Sequence, residues 1–256
     1  MIFGSPRPAD EGRLRYRSRM PRAVLLDLYN TLVSGGDAER DEVCRDQAAD
    51  LGVDADEFLR LFRESWRDRC TGKLGDLPAT LRTLAERAGG TPSEQAVRLA
   101  ASRSIELTRR HLWPRPIVLA TLDAVRAAGW RTGLITNCAG ATAEVWRRTP
   151  MVGRFDAAAL SSELGVAKPD PAIYLTVCAQ LGVAPTDCVF VGDGADDELG
   201  AAAALGMSVV RSTEYKPAKG SWPPQRIATI GELPALLGIA AATDPPARNP
   251  RSVAVE

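Results

Sequence analysis

Four short stretches of this 256-residue chain carry residue types suited to phosphoryl chemistry. Asp27 closes the apolar run Ala23-Val24-Leu25-Leu26, and Thr136-Asn137 closes Thr132-Gly133-Leu134-Ile135. Lys168 follows the small-residue run at 157–160. Asp193 closes Cys188-Val189-Phe190-Val191-Gly192, with Asp196, Asp197 and Glu198 close behind. Two carboxylates offer the hard oxygens that Mg²⁺ prefers. A hydroxyl and backbone N–H groups suit phosphoryl oxygens, and a lysine neutralises charge on carboxylate and phosphoryl group alike. A carboxylate nucleophile splits a hydrolysis into two easier steps through an acyl phosphate.

The elements that must position these residues are legible around them. The runs ending at Asp27, Thr136, Leu160 and Asp193 read as buried strands, and Ser208–Arg211 as another. Helical patterns lie between them, over 117–128, 141–148, 171–181 and 198–205, and 230–237 ends the domain. This alternation predicts an α/β fold, a doubly wound, Rossmann-like parallel sheet with helices on both faces. In such a sheet ligands bind beyond the carboxyl ends of the strands, where all of these residues fall.

From Ala38 to Arg110 the texture is helical throughout. Val43, Ala48 and Leu51 mark one helix; Phe58, Leu61, Phe62 and Trp66 form a stripe on a second. Leu77, Leu81, Leu84 and Ala88 mark a third, and Val97 to Leu107 a fourth. Four helices with short loops predict a bundle inserted after the first strand. Phe58, Phe62 and Trp66 are expected in its core rather than against a substrate. The predicted organisation is an α/β core over 21–36 and 111–240, a helical domain over 37–110, a disordered basic extension over 1–20 and a disordered tail over 241–256.

Composition narrows the function classes. Lys+Arg and Asp+Glu are both 32, which argues against a nucleic-acid partner. The five cysteines are odd in number and form no CxxC pair, so neither a disulfide framework nor a zinc site is expected, and a reducing cytoplasm is the simpler setting. No apolar run approaches the roughly 20 residues that span a bilayer, so no membrane partner is expected. Cys138 is expected to pack, and His111, the only histidine, to sit at a hinge or on the surface.

Asp27-Leu28-Tyr29-Asn30-Thr31-Leu32 resembles the first motif of the haloacid dehalogenase superfamily, and Thr136-Asn137 the second. Gly165-Val166-Ala167-Lys168-Pro169-Asp170 is similar to the third, and Val191-Gly192-Asp193-Gly194 with its acidic followers to the fourth. Four motifs in order over roughly Arg22 to Leu237 are specific where one alone is weak. The resemblance implies Asp27 as nucleophile, with Asp27, the Tyr29 carbonyl and Asp193 as Mg²⁺ ligands. It implies Thr136 and Asn137 on the transferring phosphoryl group, Lys168 stabilising charge, and Asp197 or Glu198 as the supporting acid. The helical insert resembles the cap of the family's first cap class.

Two motifs disagree about the reaction. Phosphatase branches usually carry a second aspartate two residues after the nucleophile; Tyr29 stands there, as it often does in 2-haloacid dehalogenases, which need no metal. Asp193 points the other way, because two facing carboxylates without a cation repel. The expected activity is therefore Mg²⁺-dependent hydrolysis of a small phosphorylated metabolite, by a monomer or homodimer. A metal-free 2-haloacid dehalogenase, or a weakly catalytic protein kept for binding or regulation, is the alternative.

Overall fold

A computed structural model of the chain describes residues 22–217 and 225–239. The extension at 1–20 and the tail at 241–256 lie outside the described residues. β1 (Ala23–Leu26) leads into a run of helices: α1 (Asp37–Leu51), α2 (Ala55–Glu64), α3 (Trp66–Cys70), α4 (Leu77–Arg87) and α5 (Glu94–His111). Helix and strand then alternate through α6 (Pro116–Ala127), β2 (Arg131–Thr136), α7 (Gly140–Trp146), β3 (Ala157–Leu160), α8 (Ser161–Leu164), α9 (Pro171–Leu181) and β4 (Cys188–Gly192). The chain continues with α10 (Glu198–Ala204), β5 (Ser208–Ser212), β6 (Arg226–Ile227) and α11 (Leu233–Leu236).

The strands form one sheet in the order β3-β2-β1-β4-β5-β6, parallel at every pairing. Alternate residues of β1 and β4 enter opposite layers, as the strand period of two requires. Val24, Leu26, Val189 and Val191 pack with Val118, Leu122 and Val125 of α6. Ala23, Leu25, Cys188 and Phe190 pack with Ile173, Val177 and Leu181 of α9 and Leu199 of α10. Both faces are covered, which is why these strands are apolar throughout instead of alternating. Chain order reverses between β1 and β4, and this switch point opens a crevice at the carboxyl edge. No helix among the described residues is long and apolar enough to cross a membrane.

The insert has its own core, in which Ala48, Leu51, Phe58, Leu81, Leu84 and Val97 meet. α2 and α4 start on side-chain caps: Asp54 accepts from the Glu57 N–H and Asp76 from the Ala79 N–H, both at 2.9 Å. The stripe Phe58–Trp66 does not lie on one helix. α2 stops before Ser65, whose hydroxyl turns back to donate to the Phe62 carbonyl at 3.1 Å, and α3 starts anew at Trp66. The insert therefore has one helix more than its sequence pattern predicts. The short β6 and α8 also lack a readable signal, being 2 and 4 residues long.

Candidate active site

The sheet register sets the geometry. Leu26 lies opposite Leu134 on one side and Val191 on the other, so Asp27 emerges between the ends of β2 and β4. Its N–H donates to the Val191 carbonyl at 2.9 Å, which extends the ladder one residue past the strand. The chain then turns sharply through Asn30, at a φ of 61°, a left-handed conformation that Asn tolerates. The turn returns the Thr31 hydroxyl to donate to Asp27 Oδ2 at 3.1 Å. Thr31 lies inside the first motif, but no sequence argument gave it a role.

Lys168 reaches this point from the loop after α8. Its Nζ donates to Asp27 Oδ1 and to Glu198 Oε2, each at 2.5 Å, and all three residues are buried. Glu198 Oε1 accepts from the Gly194 N–H at 2.9 Å. The carboxylate reaches back because the turn after β4 runs left-handed through Gly194, Asp196 and Asp197, at φ 89°, 51° and 53°. Gly192 makes the packing possible: a Cβ there would lie 2.1 Å from Glu198 Oε1. Of the two candidate supporting acids, Glu198 holds the lysine and Asp197 is exposed to solvent.

Asn137 clamps the lysine from behind. Its Oδ1 accepts from the Lys168 N–H at 2.7 Å, and its Nδ2 donates to the Lys168 carbonyl at 3.0 Å and to Asp196 Oδ2 at 2.8 Å. Asn137 is thus a positioning residue for Lys168, and Asp196, which had no assigned role, shares its amide. The Thr136 hydroxyl is fully buried and donates to the Asn137 carbonyl at 3.4 Å; it does not reach the cavity wall.

Asp193 completes the cluster. One ligand oxygen each from Asp27, Asp193 and Glu198 lie within 4.8 Å of one another. Burial lifts Asp27 above the usual carboxylate range; Lys168 pulls it back, and Asp193 adds to the rise. Burial likewise pushes Glu198 up to about 8, against the pull of Lys168. Burial alone would lower Lys168, yet its two carboxylates hold it above the usual lysine range. One lysine therefore faces more negative charge than it neutralises. Hard oxygens with a charge deficit fit a divalent cation such as Mg²⁺.

These residues floor a cavity of about 600 Å³ whose other wall is the insert. Phe58 lies in the insert's core as expected, and Phe62, on the same helix, packs against that core while also lining this cavity. Trp66, beyond the break at Ser65, lines the cavity as well. Arg67 of α3 donates to the Lys168 carbonyl at 3.0 Å and so ties the insert to the catalytic edge. Tyr29 Oη is 2.9 Å from Thr142 Oγ1, the Arg40 guanidinium lies 4.4 Å from its ring centre, and burial raises its phenol. Cys138 packs beside β2, its thiol pushed up to about 11 by burial. His111 ends α5 at the junction with the core and pairs with Glu39.

A family model described as haloacid dehalogenase-like hydrolase matches residues 21–206. Glyceraldehyde 3-phosphate phosphatase of Methanopyrus kandleri is 30% identical over 75% of this chain and 84% of its own length. (S)-2-haloacid dehalogenase 1 of a Pseudomonas species is 29% identical over 84% of this chain and 96% of its own. Among solved structures, a 2-haloacid dehalogenase from Pseudomonas syringae superposes with a TM-score of 0.63 at 26% identity, covering 86% of this chain and 99% of that one.

Proposed function

This chain belongs to the haloacid dehalogenase-like hydrolases, and on that premise we propose that it is a Mg²⁺-dependent phosphatase of small phosphorylated metabolites. The observation that carries the reading is Asp193, a third buried carboxylate beside the Asp27–Lys168–Glu198 chain. Asp27 attacks phosphorus, the ester oxygen leaves, and water then cleaves the resulting acyl phosphate on Asp27. Lys168 favours the ionised form of Asp27 against its burial and balances charge on the transferring group. Asp27, the Tyr29 carbonyl and Asp193 are the proposed metal ligands, and a bound Mg²⁺ supplies further charge neutralisation at the phosphoryl oxygens. Asn137 fixes the backbone of Lys168, and Thr136 supports that strand end. The insert acts as the family's helical cap, closing over a small substrate and excluding water.

Tyr29 supports a second reading, the metal-free 2-haloacid dehalogenase, since halide leaves without a proton. That reading leaves Asp193 beside Asp27 and Glu198 with the single charge of Lys168 set against three buried carboxylates. In the phosphatase, a buried tyrosine held up in its titration is a poor proton donor at neutral pH. Leaving groups that need no protonation should therefore turn over fastest.

Phosphate and halide release from a mixed panel of esters and 2-halo acids, in Mg²⁺ and in EDTA, tests the assignment. Phosphate release that EDTA abolishes is expected, and Tyr29→Asp should raise it by roughly 10²-fold for poor leaving groups. Halide release that survives EDTA would overturn the phosphatase in favour of the dehalogenase. Silence throughout would favour a protein kept for binding.

A further inference from the structure

Three arginines reach the cavity from the insert, and two of them have an acid at hand. Arg40 lies 3.7 Å from Asp37, and Arg63 lies 2.5 Å from Asp41. Arg69 does not follow them. It is 7% exposed, yet among the described residues no carboxylate stands within the 4.0 Å of an ion pair. Its Nε donates to Ser65 Oγ at 3.2 Å and its Nη2 to the Phe62 carbonyl at 2.8 Å. The guanidinium stacks 3.6 Å from the centre of the Phe62 ring, with Trp66 at 5.2 Å. Nη1 donates to no side chain or backbone atom among the described residues.

A buried cation without a counter-ion is costly, and neither aromatic stacking nor two neutral acceptors restores the hydration it has lost. Burial accordingly pulls Arg69 down to about 10, and the charge of Arg40 adds to the fall. The residue nonetheless sits on the wall of the cavity that Asp27 floors, with one donor face open to it. A fixed, desolvated guanidinium is a selective partner for an oxyanion. Its single unbalanced charge matches a monoanion better than a dianion, and a carboxylate is the planar monoanion that the fork of an arginine fits.

We propose that the substrate is a phosphate monoester carrying a carboxylate at its far end, and that Arg69 binds that carboxylate with the rings of Phe62 and Trp66 flanking the chain between. The inference rests on the phosphatase reading for the reacting end of the molecule, but the recognition itself needs no turnover.

Calorimetric titration with two non-hydrolysable analogues tests it: para-carboxybenzylphosphonate and its neutral isostere para-carbamoylbenzylphosphonate. The wild-type protein should bind the carboxylate at least about tenfold more tightly, in line with a charge-assisted hydrogen bond worth about 1.5–3 kcal/mol. Arg69→Gln should bring the ratio close to one, and Arg69→Lys should keep part of it. Equal affinities in the wild type, or an unchanged ratio in Arg69→Gln, would overturn the inference, and the wild-type comparison stands even if a variant fails to fold. A protein that prefers the carboxylate analogue through Arg69 but releases no phosphate from the matching esters would sink the phosphatase reading and leave this one standing.

Discussion

The carboxyl edge of the sheet and the facing wall of the insert hold their polar groups differently. At the edge Asp27, Lys168 and Glu198 are each clamped from more than one direction. Lys168 is fixed by Asp27, Glu198 and, through its backbone, Asn137. On the insert, Arg40 and Arg63 lean on partly exposed acids, and Arg69 lies on aromatic rings with no acid at ion-pair distance among the described residues. The edge is preorganised for one kind of bond making, where a loss of geometry is expensive. The insert presents charge and rings whose arrangement decides what fits above that edge. On the proposed reading, reaction type and substrate choice are carried by separate parts of the chain.

The difference has a measurable form. Lys168→Met leaves three buried carboxylates facing one another and should cost about 3–5 kcal/mol of stability along with activity. Urea unfolding gives the value, and a loss below about 1 kcal/mol would mean the edge is not clamped as described. Gly192→Ala forces a methyl into Glu198 Oε1 and should cost about 1–3 kcal/mol by displacing the acid that holds Lys168. Activity should fall in step with stability there; a fully active, fully stable variant would break the link between Gly192, Glu198 and Lys168. Arg67→Ala should do least. It removes one half-buried bond between insert and edge, so stability should move by about 0.5–1.5 kcal/mol while KM rises more than kcat falls. A fall in kcat alone would place Arg67 with the edge, not with the closing insert.

How far the sequence reveals each region follows the same division. The sheet was legible because strands buried on both faces are short apolar runs, and the reactive residues sit where those runs stop. Asp27, Lys168 and Asp193, singled out at or after strand ends and by the four-motif resemblance, are brought together in the structure. Thr31, Asp196 and the choice of Glu198 over Asp197 could not be singled out in this way, because they depend on left-handed turns that bring a side chain back beneath the strand. Phe62 and Trp66 had helical spacing with Phe58 and read as core; spacing could not show that Phe62 would pack against that core and line the cavity too, or that α2 would stop before Trp66. Arg69 is one of 32 lysines and arginines, and only its burial without an acid sets it apart.

The central claim is that the Asp27 carboxylate attacks phosphorus. Acid-quenching the protein during turnover of a phosphate ester, followed by peptide mass spectrometry, tests it most directly. The account predicts a phosphoryl group on the peptide containing Asp27, absent in Asp27→Asn. A 2-hydroxy-acid ester on Asp27 after incubation with a 2-halo acid, with no phosphoryl adduct from any ester, would contradict it.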